Sequence, residues 1–450
     1  MTLPTLPLVA HDSLDDIVAY RADTAITLRH FLADVARVGA RLPAGRFMVN
    51  TCSDRYHFAV GLAAAIVSGR VSLLPAALTA ENGRQLRELA PDAFCLADDG
   101  DDPLGLPRLA YPENGDATAW HGPVPHIAAG QEVAWVFTSG STGQPQPHRK
   151  TWGMLVHGVR GGAQRLGLDA AAPHVIVGTV PAQHMFGFET TVLMAWQAKA
   201  AFCAERPFFP ADICRRLDSL PRPRLLVITP FHLRALLDAG LPAPAVDLLL
   251  SATAPLSQGL ARAAEDALGA PLREIYGSTE TGQIAQRRPA YEQDWQLYPG
   301  IRLQTLDEGG CRVSGAHLGA GSVLNDSVRL TGADRFLLLG RNADLINIAG
   351  KRNSLAYLDQ QLRAIPGVAD GAFFMPPAEV ADGVTRLTAF VAAPGLDAAT
   401  ILAALRQRID PVFLPRPLIF VDALPRNASG KLPLAALAAL AAPRREGTTG

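Results

Sequence analysis

Apolar positions recur along this chain in two periods. Between Thr27 and Arg41 (TLRHFLADVARVGAR) they return at every third or fourth residue, the spacing of a helix with one buried face. Short continuous apolar runs at Phe47–Asn50, Val71–Leu74 and Phe94–Ala97 predict strands, and the stretches Phe58–Val67 and Ala80–Leu89 between them predict helices. Strands that alternate with helices imply a parallel α/β sheet. The segment Asp101–His126, rich in Pro and Gly, reads as a surface connection. The alternation resumes at Val133–Phe137, Val175–Val180, Leu225–Ile228, Asp247–Leu250 and Arg273–Ile275. From Ile301 the pattern turns more β-like. After Arg341 a new unit begins, with a helix predicted over Leu355–Ile365 and strands near Ala372–Phe374 and Arg386–Ala392.

The length of 450 residues sets a prior of two or three domains. Apolar residues at 48% and charged residues at 18% are an ordinary globular balance, and a formal charge of −1 provides no field for nucleic acid or an anionic membrane. Most arginines read as a solvated, mixed-sign surface. Cysteines at 52, 95, 203, 214 and 311 have no CxxC spacing, which argues against a disulfide framework or a zinc knuckle. The first residues, MTLPTLPLVAHDSLDD, lack the basic region and apolar run of a signal peptide, and Phe58–Val67 and Leu432–Ala442 are too short to span a bilayer. A cytoplasmic location is expected. Of the 41 basic residues only four are lysine, at 150, 199, 351 and 431, so each lysine is a candidate for work that needs a compact ammonium.

The first chemical segment is Phe137-Thr138-Ser139-Gly140-Ser141-Thr142-Gly143-Gln144-Pro145, directly after the strand-like VAWVF. Small hydroxyl residues and glycines at a strand end offer backbone N–H groups and hydroxyl donors without bulk, the properties needed to wrap phosphate oxygens. It is not a P-loop, because Gly143 is followed by Gln144 where GxxxxGK[ST] requires Lys, and it lacks the GxSxG elbow of hydrolases. By composition alone a Ser/Gly/Thr surface loop fits as well. Three more segments follow: Ile275-Tyr276-Gly277-Ser278-Thr279-Glu280-Thr281-Gly282, then Asp326 with Gly340-Arg341-Asn342-Ala343-Asp344, then Leu424-Pro-Arg-Asn-Ala-Ser429-Gly430-Lys431.

In this order and spacing the four segments resemble the signatures of the adenylate-forming superfamily of acyl-CoA synthetases, peptide-synthetase adenylation domains and luciferases. TSGSTGxP resembles its phosphate loop, and the resemblance runs from the first helices to Lys431. It implies an α/β fold with a large N-terminal domain (1–341) of parallel sheets and a small β-rich part. A hinge (342–344) and a small, mobile α+β C-terminal domain (345–450) follow. It implies ATP with Mg²⁺, and a thiol acceptor that is coenzyme A or the phosphopantetheine of an acyl carrier protein.

Residue by residue, the resemblance makes Thr138, Ser139, Gly140, Ser141, Thr142 and Gly143 the phosphate cradle. Ala252 and Thr253, in Ser251-Ala-Thr-Ala-Pro255, belong to the loop that covers adenine, with Tyr276, Gly277 and Ser278 beside the ring. Thr279 is implied as a phosphate contact and Glu280 as the oxygen ligand of Mg²⁺. Asp326 and Arg341 suit the ribose, the first as an acceptor of hydroxyls and the second as a donor fork. Lys431, His184 and Thr279 are the implied catalytic residues, and in particular the Lys431 ammonium, touching carboxylate and α-phosphate, lowers the repulsion between two anions. Asp344 is the implied hinge, and the Gly350 region the face for thiol transfer. Val180-Pro-Ala-Gln-His184-Met-Phe186-Gly-Phe188 resembles the segment beside the reacting carboxylate, so His184, Phe186, Phe188 and Gly277 are candidate pocket residues. No Asp occurs there to hold a substrate amino group, which disfavours amino acids.

The departures define a divergent branch. Gln146 stands where the phosphate loop normally carries Lys, leaving Lys150 or Arg149 as substitutes, and Leu434 replaces the usual Arg after the C-terminal lysine motif. TSGSTGxPxPxxKTW and the compact length resemble the aryl-acid ligases of aryl-polyene (xanthomonadin-type) pigment biosynthesis, which load 3-hydroxybenzoate-like starters onto an acyl carrier protein. Alternatives are a medium-chain fatty acid CoA ligase and a catalytically weak adenylate-binding protein.

Overall fold

The computed structural model describes residues 4–75, 78–98, 104–112, 120–139, 145–168, 173–254, 256–306, 310–315, 317–318, 321–341, 345–348, 351–376, 387–427 and 432–441. The expected α/β alternation is present. A first sheet runs in the order Pro145–Thr151, Glu132–Ser139, Val71–Leu74, Phe47–Asn50, Phe94–Ala97, Arg108–Ala110, parallel except for the antiparallel pair formed by its first two strands. A second, larger sheet has a parallel centre: Leu272–Ser278, Leu248–Ser251, Arg224–Ile228, Val175–Gly178, Ala201–Cys203 and Ile17–Arg21 lie side by side.

The near-continuous apolar runs of these strands follow from burial on both faces. In Arg224–Ile228, Leu225 and Val227 face the core between the two sheets. Leu226 and Ile228 face the opposite way, against helices Pro210–Asp218, Pro230–Asp238 and Gln258–Leu268. Helix Arg55–Val67 is buried on nearly every side, as its all-round apolar sequence requires, and starts where the Asp54 carboxylate accepts from the N–H groups of Tyr56 and His57. The amphipathic helix Leu28–Gly39 sets Leu28, Phe31, Leu32, Val35 and Val38 against the same core.

The segment Asp101–His126 departs from the sequence expectation. Strand Arg108–Ala110 extends the first sheet, and Leu104, Leu106 and Tyr111 are buried. Its prolines and glycines hide any period, yet its few apolar residues are needed to close the outer face of that sheet. The arginines are not all solvated either. Arg55 is 2% exposed, and its guanidinium donates to the carbonyls of Cys203, Glu205, Gly178 and Val180 at 2.8 to 3.0 Å. Burial brings its pKa down to about 10, while the nearby Cys203, Asp54 and Glu205 act in the opposite sense.

After Ile301 the chain is β-rich, with the antiparallel strands Arg302–Thr305, Cys311–Ser314 and Ser322–Leu324. The last part has its own core around Leu358, Leu362, Phe373, Val391, Ile401 and Leu405. There strands Asp370–Phe374, Thr388–Ala392 and Leu418–Phe420 pack with helices Leu355–Arg363 and Ala398–Arg406. Among the described residues no helix is long and apolar enough to cross a membrane.

Candidate functional site

Four parallel strands of the second sheet end on one edge: Val175–Gly178, Ala201–Cys203, Arg224–Ile228 and Leu248–Ser251. The chain passes from Val175–Gly178 to Ala201–Cys203 on one side, then crosses to Arg224–Ile228 on the other. Ligands of open α/β sheets bind beyond the carboxyl ends of strands at such a reversal. A partly open cavity with about 560 Å³ of empty space lies there, lined by residues that directly follow each strand: Thr179, Val180 and Pro181; Arg206 and Phe208; Thr229 and His232; and Thr253. Arg55 fixes this rim by gripping the carbonyls of Gly178 and Val180 on one strand end and Cys203 and Glu205 on the next.

Of the candidate acid-pocket residues, His184 and Phe186 line the cavity. Phe188 does not: its side chain is 0% exposed and packed in the core between the sheets. The helix periodicity explains this, because Phe188 lies two positions beyond Phe186 and so faces away from it, opening a π-helical turn over Phe188–Leu193. Gly277 is also absent from the lining. Its role is backbone packing, since a Cβ there would meet the Gly282 carbonyl oxygen at 2.2 Å. Sequence reasoning missed Arg206, Phe208, Thr229 and His232. A signal existed for Thr229, which ends an apolar run and precedes Pro230 as the N-cap of a helix, its hydroxyl accepting from the His232 N–H. Thr253 has φ of 83°, a left-handed conformation strained for a β-branched residue, next to the 9%-exposed Ala252.

The nucleotide motifs meet along the neighbouring strand Leu272–Ser278. Tyr276 packs its ring near Trp295 and Phe336, and its hydroxyl donates to the Asp326 carboxylate at 2.6 Å. Asp326 pairs directly across the ladder from Arg341, so these two segments share one register. Residues 278–281 form a tight turn in which the Ser278 N–H donates to the Thr281 hydroxyl at 3.1 Å. This turn presents Thr279 and Glu280.

The hairpin around the phosphate-loop motif approaches the same turn. Strands Glu132–Ser139 and Pro145–Thr151 pair with Ser139 opposite Pro145. Gly140, Ser141, Thr142 and Gly143 lie outside the described residues, as do the side chains of Thr138, Ser139 and Arg341. The alternation of the second strand separates the two candidate substitutes for the missing loop lysine. Arg149 stacks over Trp135 on one face, 4.7 Å from the ring centre. His148 and Lys150 share the other face and both address Glu280: His148 Nε2 stands 3.7 Å from its carboxylate, and Lys150 Nζ donates to its backbone carbonyl at 2.8 Å. Lys150 is only 3% exposed, and burial lowers its pKa against the opposing charges of Glu189 and Glu280. The geometry therefore gives Lys150 a supporting position under the Glu280 turn. Glu189, which the sequence did not single out, is pushed up to about 7 by burial, opposed by Lys150 and by the Gln283 N–H.

Burial alone would raise the Glu280 carboxyl, but the hydrogen bond from Ser278, its own backbone and the charges of His148 and Lys150 outweigh it and hold the group below its ordinary value. A partly exposed, ionised carboxylate suits Mg²⁺, which takes one or two protein carboxylates and completes its shell with nucleotide phosphates and water. Among the described residues there is no group of three or more His, Cys, Asp or Glu that could hold a metal ion. Asp344, Gly350 and Lys431 lie outside the described residues.

The model of the AMP-binding enzyme family matches residues 46–316, and that of the AMP-binding enzyme C-terminal domain matches residues 358–431. The 4-coumarate–CoA ligase of Rhodobacter capsulatus is 33% identical over 311 residues, 68% of this chain and 76% of that protein. A 4-chlorobenzoate–CoA ligase of Arthrobacter sp is 26% identical over 365 residues, 71% of this chain and 67% of that protein. The crystal structure of ATP-bound MatB from Rhodopseudomonas palustris shares the fold, with a TM-score of 0.82 at 19% identity over 96% of this chain and 97% of that one.

Proposed function

This chain belongs to the AMP-binding enzyme family and is an AMP-forming acid–thiol ligase, and from that premise we propose that its substrate is a small aromatic carboxylic acid. The observation that carries the reading is the cavity at the carboxyl ends of the parallel strands, bounded by His184, Phe186 and Phe208 and beside the strand that bears Tyr276. Its largely apolar wall suits a flat ring, and the aryl-acid ligases among the relatives support the same class.

In the first half-reaction a carboxylate oxygen attacks the α-phosphorus of ATP, and the bond to the bridging oxygen breaks to release pyrophosphate. Mg²⁺ bound with the nucleotide supplies charge neutralisation on the phosphates. Tyr276 and the Ala252–Thr253 loop flank adenine in this reading, Asp326 with Arg341 holds the ribose, and Thr279 contacts the α-phosphate. The 138–143 segment would wrap the departing phosphates, and Glu280 would ligate the metal. Lys431 bridges carboxylate and phosphate, where its ammonium offsets charge that builds as the two anions meet. In the second half-reaction a thiolate attacks the acyl carbon and AMP leaves, after the unit beyond the 342–344 hinge turns about Asp344 to bring the Gly350 region to the site. The acceptor is a phosphopantetheine thiol, on coenzyme A or on an acyl carrier protein; the TSGSTGxPxPxxKTW resemblance favours the carrier, and the names of the relatives favour coenzyme A.

The test is hydroxamate trapping of the acyl-adenylate with benzoates and fatty acids side by side, reading pyrophosphate and AMP. Benzoates should be trapped ahead of fatty acids, one AMP per pyrophosphate. Release of ADP, or preference for an aliphatic chain, would overturn the reading. Coenzyme A and holo carrier protein offered separately identify the acceptor.

A further inference from the structure

His232 lines the cavity but is 4% exposed, and nothing in the motifs accounts for it. Its ring is held on three sides. Nδ1 lies 2.8 Å from the Thr229 hydroxyl and 3.4 Å from that of Thr179. Phe208 meets the ring edge-on with centres 4.9 Å apart, and Phe231 does so at 5.4 Å. With Nδ1 engaged and the ring clamped, Nε2 remains, a buried polar atom with no hydrogen-bond partner among the described residues. Leaving such an atom unsatisfied carries a desolvation cost. Val180, Pro181, Phe186 and Phe208 make much of the surrounding wall apolar.

Resting on the aromatic-acid reading above, we propose that His232 is a specificity-determining residue whose Nε2 hydrogen-bonds an uncharged hydroxyl on the substrate ring. The carboxyl group must leave the cavity towards the α-phosphate, so the partner of Nε2 is a second polar group on the acid. Burial, and then the charge of Arg206, lower the His232 pKa, which favours the neutral imidazole. A hydroxyl both donates and accepts, and therefore satisfies Nε2 in either tautomer, whereas a carboxylate only accepts. A second carboxylate would also lose its hydration beside an uncharged ring, and a hydroxyl loses far less. Arg206 also lines the cavity but is solvent-exposed, which makes a second anionic group the competing chemistry.

The experiment measures binding by calorimetry and ATP–pyrophosphate exchange on the full chain. The probes are benzoate, 3- and 4-hydroxybenzoate, the matching fluorobenzoates and isophthalate, with wild type, His232→Leu and His232→Gln. One hydroxybenzoate should exceed benzoate and its fluoro analogue roughly tenfold or more in affinity and in kcat/KM. His232→Leu should remove that ratio by losing far more for the hydroxy acid than for benzoate, and His232→Gln, which retains a polar tip, should keep part of it. A circular dichroism spectrum and cooperative thermal unfolding like those of wild type show that a variant is folded. Equal handling of benzoate and hydroxybenzoates by wild type, a preference for isophthalate, or a hydroxyl preference that survives His232→Leu overturns the assignment. Absence of exchange with any acid instead refutes the ligase reading, and the calorimetric ratio still decides the role of His232.

Discussion

The Lys150 ammonium donates a 2.8 Å hydrogen bond to the backbone carbonyl of Glu280, a residue 130 positions further along the chain. One buried cation thus ties the hairpin behind the phosphate-loop motif to the turn that carries Thr279 and Glu280. Its charge also acts on the buried Glu189, whose carboxylate accepts from Gln283 three residues past Glu280.

Replacing Lys150 with Met should therefore loosen that turn and leave Glu189 without its counter-charge. The double variant Lys150→Met/Glu189→Gln should recover at least ~1 kcal/mol of the summed single costs in urea unfolding. Strict additivity would show that the two residues do not act together. The KM for ATP should rise in Lys150→Met, because the Glu280 turn loses its anchor.

Tyr276 and Asp326 give a second handle. Tyr276→Phe keeps the ring against Trp295 and Phe336 and deletes only the hydroxyl that Asp326 accepts from. Stability should fall by about 1 kcal/mol. If Asp326 is oriented for the ribose by this bond, the KM for ATP should rise roughly tenfold, equivalent to about 1.4 kcal/mol of nucleotide binding. A lowered melting temperature with unchanged KM would assign the pair to the fold alone.

A buried carboxylate far from these motifs sets a pH dependence. Asp98 accepts from the backbone N–H groups of Ser53 and Asp54 and from His57 Nδ1 at 3.0 Å, and the His57 ring stacks on Tyr111. Burial alone would raise its pKa, but the His57 hydrogen bond and the two N–H donors pull it down from 3.8 to about 2. The folded value lies below the unfolded one, so the contribution is complete above pH 4 and is lost as the pH falls towards 2. Its size is roughly 2 kcal/mol. The gap in unfolding free energy between wild type and Asp98→Asn should accordingly shrink between pH 4 and pH 2. A gap independent of pH would show that packing, not ionisation, dominates.

How much of this was legible beforehand follows from what kind of information each residue carries. Leu225 to Ile228 alternate between two buried faces, so the run itself announces a strand covered on both sides. Tyr276, Glu280 and Asp326 were legible as motif residues because their chemistry lies within short, recognisable strings. Arg55, Glu189 and His232 were not. Arg55 opens a helix of the first sheet, yet its partners are carbonyls of Gly178, Val180, Cys203 and Glu205, and no local pattern encodes that meeting. Which of Arg149 and Lys150 faces Glu280 likewise needed the hairpin register, since alternation sets two adjacent cations on opposite faces. Phe188 misled because its neighbour Phe186 does line the cavity.

If Lys431 is the adenylation lysine proposed above, its role rests on charge. Adenylation brings a carboxylate against a triphosphate, so a lone ammonium at the point of attack acts mainly on the transition state. Thiol transfer is different: the acyl-adenylate is already formed, AMP is a good leaving group, and the nucleophile is a thiolate, so that ammonium has nothing comparable to neutralise. Lys431→Ala should accordingly lower adenylate formation by at least ~100-fold, with little change in KM for ATP. Transfer from a supplied acyl-adenylate to the thiol should stay within a few-fold of wild type. Pre-steady-state measurement of the two half-reactions separates them. If both fell together, the lysine would be serving the fold or a step common to both, and a C-terminal unit alternating between two poses would lose its main support.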